Sequence, residues 1–284
     1  MNITYFVYGL ILLSLAVMGA YRLDVEGVNA SEGRRWWNDS VGPFQRVEEG
    51  FAPSAPSSPS SPSCLPARPK GIAVMTPYAE VIGDPIKHSK SPLIHGFWLK
   101  KLGVAAEYRA HHVTAEALGD YFHTRRSDDQ WRGCNITLPH KVATLDFVAD
   151  PGGVRESIGA ANTVFRSGDG DLLCTNTDAA GFFAPISEDD WAHRNAIVVG
   201  AGGAARAILF ALAQADIGTV TIMARSPLKA AALLSHFGLK GQVLQMDKPL
   251  PPADLLVNSS PLGMVGQLPL DLDLSPLPED ALVY

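Results

Sequence analysis

Two side chains of opposite charge, Lys141 and Asp178, are the residues best placed for proton chemistry. The lysine ends the run Asn135-Ile136-Thr137-Leu138-Pro139-His140-Lys141, directly after the strand-like RGCNIT. It therefore lies just beyond the carboxyl end of a strand, where open α/β sheets bind their ligands. Asp178, in Cys174-Thr175-Asn176-Thr177-Asp178, supplies a carboxylate able to partner it. Such a lysine is either a general acid or an ordinary solvated surface charge, and the local sequence leaves both open. A second polar block, Gly159-Ala160-Ala161-Asn162-Thr163, precedes the hairpin-like TVFRSGDGDLLC. Ahead of both, Ser89, Lys90 and Ser91 stand before Pro92 at the start of a helix, a place that favours an anion such as a carboxylate. Ser91 either contributes to that site or caps the helix.

A different chemistry is written further along. The apolar strand NAIVV, residues 195 to 199, runs into Gly200-Ala201-Gly202-Gly203-Ala204-Ala205 and then the helical RAILFALAQA. The spacing satisfies G-x-G-x-x-A. Gly200 permits the tight turn, Gly202 lets backbone approach a pyrophosphate, and Ala205 allows close helix packing. The next strand, TVTIM (219 to 223), ends in Ala224-Arg225-Ser226 without the acidic residue that would hold a ribose 2′-hydroxyl. Arg225, Ser226 and Lys229 offer a guanidinium, a hydroxyl and an ammonium on one turn, which favours the 2′-phosphate of NADP.

The elements that must position these groups alternate as an α/β protein requires. Strand YAEVIG, a helix marked by Leu93, Ile94, Phe97, Trp98 and Leu102, strand AEYRAHHV, a helix near 115 to 125, and strand RGCNIT predict an open, largely parallel sheet. The glycine fingerprint predicts a Rossmann-type nucleotide domain after it. The division expected is an apolar N-terminal segment and Ser/Pro-rich linker over 1 to 74, a substrate-binding catalytic domain over 75 to 185, and a cofactor domain over 186 to 284.

Composition excludes several classes. With 284 residues, a net charge of −6 and no cluster of basic residues, the chain carries no footprint for nucleic acid. Cys64, Cys134 and Cys174 are odd in number and lack metal-ligand spacing, so neither a disulfide framework nor a zinc site is expected, and no metal is called for. Residues 3 to 21 are uncharged, apolar and long enough to span a bilayer. No basic residue precedes them, no clear cleavage site follows, and Arg22, Arg34 and Arg35 would hold the following chain in the cytoplasm if they insert. Two readings stand for 1 to 74: a membrane tether, or an upstream extension before a true start at Met75.

Four blocks in order, Asp84-Pro-Ile-Lys-His-Ser-Lys-Ser-Pro92, NITLPHK, GAANT and NTDAAGF, resemble the shikimate dehydrogenase family from about Tyr78 onward. The resemblance implies NADPH-dependent reduction of 3-dehydroshikimate to shikimate, a step towards chorismate and the aromatic amino acids, by a monomer or homodimer. It implies that Ser89 and Ser91 hold the substrate carboxylate, that Thr137, Asn162 and Asp178 hold ring hydroxyls, and that Lys141 and Asp178 are the catalytic pair. Reduction of a ketone builds negative charge on its oxygen, which an ammonium can stabilise and protonate. His88, His95 and His140 are read as packing or surface residues. Asn258 and Ser260, in LLVNSSPLGM, are implied as further cofactor contacts. The sequence departs from the family pattern at Ala161, where valine is usual, and at Ala224, where asparagine is common. Segment 150 to 155 reads as looser than the expected helix. The chain stops at Tyr284 within a strand-like ALVY, where the family continues, so a C-terminally incomplete nucleotide domain is expected. An NAD-dependent quinate or shikimate dehydrogenase and a non-catalytic binding module are the competing readings.

Overall fold

The computed structural model describes residues 76–264 and 266–284; the apolar run 3–21, the linker 52–69 and Cys64 lie outside them. Among the described residues, no helix is long and apolar enough to cross a membrane.

The first sheet is built from β1 (Tyr78–Gly83), β2 (Glu107–His112), β3 (Trp131–Ile136), β4 (Thr163–Arg166) and β5 (Leu172–Thr175), in the order β2-β1-β3-β4-β5. Strand β1 lies between β2 and β3, parallel to both, and all six of its residues are buried. The three strands expected to form a parallel sheet do so, and beyond them β4 alone is reversed, antiparallel to both β3 and β5. The physical reason is length: five residues, 167 to 171, join β4 to β5, and a parallel crossover needs a dozen or more. The sheet is therefore mixed.

Helix α1 (Ser91–Lys101) joins β1 to β2 and α2 (Leu118–Arg126) joins β2 to β3. Helix α1 has Pro92 in its first turn, Lys100 and Lys101 in its last, and stops before Gly103 at φ 66°. Its buried side chains are His95 and Leu99, whereas Leu93, Ile94, Phe97 and Leu102, four of the five residues whose spacing marks the helix, face solvent. Periodicity identifies a helix but not which of two adjacent stripes packs. Here the stripe on β2 wins, with His95 stacked on Tyr108 at 4.1 Å. Burial lowers the His95 pKa to about 4, which keeps the ring neutral.

Over 150 to 153 the chain is turn, as loose as the sequence suggests, and a one-turn helix, α3 (Val154–Ser157), begins only at the end of that segment. The Asp150 carboxylate accepts the N–H groups of Val154 at 2.9 Å and Arg155 at 2.7 Å, satisfying donors that a helix start leaves open. After α4 (Asp178–Phe183), the second sheet contains β6 (Asn195–Val199), β7 (Thr219–Met223), β8 (Gly241–Leu244), β9 (Leu255–Asn258) and β10 (Leu282–Val283). It is wholly parallel, in the order β10-β9-β6-β7-β8, with α5 (Gly203–Gln214) and α6 (Pro227–His236) as crossovers. Strand β6 is buried from Ala196 to Val199, which is why it reads as a continuous apolar run.

One hydrophobic cluster runs through both sheets. It includes Ile82 and Trp131 of the first sheet with Phe122 of α2, and Val198 of the second with Ile208 and Leu209 of α5. Helices α4 and α5 pack together at the junction. A smaller cluster, with Ile197, Val199, Met223, Leu250 and Leu256, covers the other face of the second sheet.

The first sheet also buries a charge. The Glu80 carboxylate on β1, 2% exposed, accepts Tyr121 Oη at 2.8 Å and the Arg125 guanidinium at 2.9 and 3.1 Å, which ties α2 to β1. Glu80→Ala should cost about 3–5 kcal/mol, because it leaves a largely buried guanidinium unpaired. Urea titration of the variant against the parent checks this, and a loss below about 1 kcal/mol would show the pair to be dispensable.

Candidate active site

In each sheet the strand order reverses once, and a ligand crevice forms outside the carboxyl ends of the strands at that point. In the first sheet the reversal is at β1. The loop after β1 carries Ser89, and the loop after β3 carries Thr137 and Lys141. The two loops are tied together, since Thr137 N–H donates to Ile82 O at 2.9 Å and Asp84 N–H to Leu138 O at 3.1 Å. A Cβ on Gly83 would stand 2.6 Å from Thr137 Cγ2, so only glycine allows β1 to end against that loop.

The antiparallel hairpin brings the remaining polar groups to the same edge. Asn162 immediately precedes β4, and Asp178 opens α4 three residues after β5. The Lys141 ammonium donates to Asp178 Oδ2 at 2.6 Å, in a pair whose side chains are 17% and 29% exposed. Asn162, 8% exposed, donates through Nδ2 to Asp178 Oδ1 and to Thr177 Oγ1, both at 2.8 Å, and its Oδ1 accepts Thr177 N–H at 2.9 Å. The backbone follows the same path: Ala161 N–H donates to Lys141 O at 2.7 Å. Lys141, Asp178 and Asn162 are thus in direct contact, and Thr137 is on the same loop as the lysine.

Ser91 is the first residue of α1, and the capping position belongs to Lys90, with no side-chain cap bond. Ser91 therefore does not cap the helix. Its N–H donates to Ser89 Oγ at 3.3 Å, so the two serines form one small turn at the helix start. No direct bond joins them to the Lys141 cluster among the contacts of the described residues. His140 is buried and bonded through Nε2 to Val113 O at 2.6 Å, His95 is packed on Tyr108, and His88 is exposed.

Asn176 was not singled out by the sequence, yet it holds Asp178 in place. Its Oδ1 accepts Asp178 N–H at 2.9 Å and its Nδ2 donates to Ala160 O at 2.7 Å. The signal available was an asparagine just ahead of a helix, the position where Asx side chains bond the first turn.

The second sheet reverses order at β6, where Gly200 begins the glycine loop. Gly200 adopts φ 112°, and a Cβ there would lie 2.8 Å from Ser259 Oγ, which itself donates to Val199 O at 2.7 Å. Ser259 is a second residue the sequence did not flag. At Gly202 an added Cβ would meet nothing within 4 Å, so the loop is an open backbone cradle at the N-terminus of α5. Ala201, Gly203 and Ala204 complete it, and Ala205 is fully buried against the sheet. This cradle fits a pyrophosphate. Arg225, Ser226 and Lys229 are exposed together at the start of α6, and Ser226 makes no side-chain cap bond, so its hydroxyl remains available. Asn258 and Ser260 differ: Ser260 N–H and Oγ both donate to Asn258 Oδ1, at 3.0 and 2.7 Å, so their polar groups are spent within a turn.

The two crevices meet. A Cβ on Gly203 would sit 2.7 Å from Lys141 Cβ and 3.3 Å from its Cδ, so the glycine loop presses directly on the aliphatic stem of the lysine. Nearby, Gly159 at φ 71° lies under the Arg206 guanidinium of α5.

Comparison with known proteins places this geometry in a family. The family model for the shikimate dehydrogenase substrate binding domain matches residues 81–164, and that for shikimate / quinate 5-dehydrogenase matches residues 183–261. A curated shikimate dehydrogenase (NADP(+)) of Sphingopyxis alaskensis is 62% identical over 209 residues, covering 74% of this chain and 76% of the relative. That of Azorhizobium caulinodans is 39% identical over 210 residues, covering 72% and 74%. Among solved structures, the shikimate 5-dehydrogenase of Thermus thermophilus in complex with NADP(H) and shikimate aligns with a TM-score of 0.63 at 35% identity, over 73% of this chain and 77% of that one. The shikimate dehydrogenase of Aquifex aeolicus aligns with a TM-score of 0.64 at 27% identity, over 75% and 79%. With a contiguous acid–base cluster on one sheet, a dinucleotide cradle on the other and relatives matched across both, the chain belongs to the shikimate dehydrogenase family.

Proposed function

We propose that the protein is an NADP-dependent shikimate dehydrogenase that reversibly reduces 3-dehydroshikimate to shikimate, with residues 75–185 holding the substrate and 186–284 the nucleotide. The observation that carries the reading is the Lys141–Asp178 pair, held at 2.6 Å with its lysine stem against Gly203 of the dinucleotide loop. The shared name of the relatives and the ligands of the Thermus thermophilus structure support the choice of substrate and cofactor.

The roles follow from donor counts. An ammonium has three N–H donors, and Lys141 places one on Asp178, which leaves others for a substrate oxygen. When bound, NADPH supplies the hydride. Lys141 stabilises the charge that develops on the ketone oxygen and delivers the proton to it. Asp178 holds the ammonium in place and shares a substrate hydroxyl with Asn162. Ser89 and Ser91, at the positive end of α1, receive the substrate carboxylate, and Thr137 contacts the ring. Gly200 to Ala205 would hold the pyrophosphate, and Arg225, Ser226 and Lys229 the 2′-phosphate. With their polar groups bonded to each other, Asn258 and Ser260 are left with a supporting place at the nucleotide.

Three measurements test this assignment. Lys141→Ala should lower kcat by roughly 10²- to 10⁴-fold, as loss of a general acid does, and change the KM for 3-dehydroshikimate far less; turnover near the parent rate would sink the role. Arg225→Ala should weaken NADPH much more than NADH, because only the 2′-phosphate can accept the guanidinium bonds, each worth about 1.5–3 kcal/mol. An unchanged NADPH to NADH ratio of kcat/KM would mean that the phosphate binds elsewhere. Gly203→Ala should push on the lysine stem and reduce kcat about tenfold, with a smaller change in the KM for NADPH. The opposite pattern, weak NADPH binding at full kcat, would assign Gly203 to the nucleotide alone.

A further inference from the structure

The polar cluster extends away from the crevice across the first sheet. Strand β1 lies between Tyr108 of β2 and Asn135 of β3, and in register Tyr108 pairs with Ala79 and Ala79 with Gly133. Along the sheet only a methyl and a hydrogen separate the phenol from Asn135, and it reaches diagonally to Asn135 Oδ1 at 2.6 Å. Asn135 pairs directly with Thr163 of β4, and its Nδ2 lies 3.2 Å from Thr163 Oγ1. Thr163, 1% exposed, reaches Asn162 Oδ1 at 3.1 Å. Asn162 then contacts Asp178, and Asp178 contacts Lys141.

The polarity of this chain is set by one backbone group. Thr177 N–H can only donate, so the Asn162 atom that receives it is the amide oxygen. The Thr163 hydroxyl, facing that same oxygen, must donate to it. Its own oxygen is then an acceptor, which turns the Asn135 amide nitrogen towards it and the Asn135 oxygen towards Tyr108. The phenol must donate. Burial raises the Tyr108 pKa well above its ordinary value, so the hydroxyl keeps its proton throughout the working pH range. Each amide is left with one orientation.

We propose that Tyr108 and Thr163 are positioning residues for the Lys141–Asp178 pair, acting through this directional chain of hydrogen bonds by way of Asn135 and Asn162. Neither residue touches the lysine. Thr177 N–H sets the orientation of the Asn162 amide, and the two hydroxyls brace it in that orientation against the Asp178 carboxylate. The inference rests on the oxidoreductase reading above.

The test compares kcat, the KM for 3-dehydroshikimate and the KM for NADPH in the parent, Y108F, T163V, T163S and Y108F/T163V. Valine matches threonine in shape but cannot donate, and serine restores the hydroxyl. T163V should lose about tenfold in kcat, T163S should stay within about twofold of the parent, and Y108F should lose about three- to tenfold, all with the KM for NADPH unchanged. Because both changes cut one chain, the double variant should fall no lower than T163V alone. A merely structural role would lower the melting temperature without producing this non-additivity or the rescue by serine. T163S as slow as T163V, fully additive losses, or Y108F at parental kcat with T163V also unaffected would each overturn the proposal. Should Y108F fail to fold, the comparison of T163V with T163S decides alone. A parent that does not reduce 3-dehydroshikimate overturns the oxidoreductase reading and this inference with it, whereas an active parent with indifferent variants overturns this inference only.

Discussion

The Lys141–Asp178 contact depends on four pieces of chain arriving at one edge of the first sheet. The lysine follows β3, the aspartate follows β5, Asn162 precedes β4, and the loop after β1 is bonded to the one that carries the lysine. A lysine side chain is long and flexible, and an exposed ion pair would hold it weakly. Here the stem is confined by Gly203 on one side, and the carboxylate is held by Asn162 Nδ2 and by the Asn176 turn on the other. The geometry is fixed by packing and by backbone donors rather than by the strength of the ion pair itself.

That confinement explains why the antiparallel hairpin belongs in an otherwise parallel sheet. Parallel strands send all their carboxyl ends the same way, so groups before a strand and after a strand would sit at opposite edges. Reversing β4 brings the residue before it, Asn162, to the edge where β3 ends, while β5 runs back to deliver Asp178 to the same place. The Ser167 to Gly170 turn is the device that places the amide and the carboxylate side by side.

The glycine loop serves two masters. Gly200 needs its positive φ and the space beside Ser259, and Gly202 leaves an open cradle, both of which suit a nucleotide. Gly203 is constrained from the other direction, by the lysine of the substrate half. The shared core across both sheets, with α4 against α5, lies behind that contact, so the cofactor cradle and the proton donor are placed by one packed junction.

The sequence by itself determined the α/β class, the two strand–loop–helix units and the glycine loop, because each rests on short-range patterns: strand ends, glycine spacing and helix starts. Lys141, Asp178 and Asn162 stood out as polar groups at strand ends, and their roles came only with the family resemblance. It also contained the hairpin, as SGDG between two apolar runs, although the place of that hairpin in the sheet depends on long-range strand pairing. What only the tertiary structure decided are relations between distant segments. The face of α1 was chosen by Tyr108 of another strand, not by the helix's own periodicity. Asn258 and Ser260 satisfy each other in a turn whose closure no spacing rule encodes. The contact of Gly203 with Lys141 and the relay from Tyr108 to Asn162 join residues 62 and 54 positions apart, by 203 − 141 and 162 − 108, and whether such groups touch is settled by strand register and core packing, which exist only once the chain has folded.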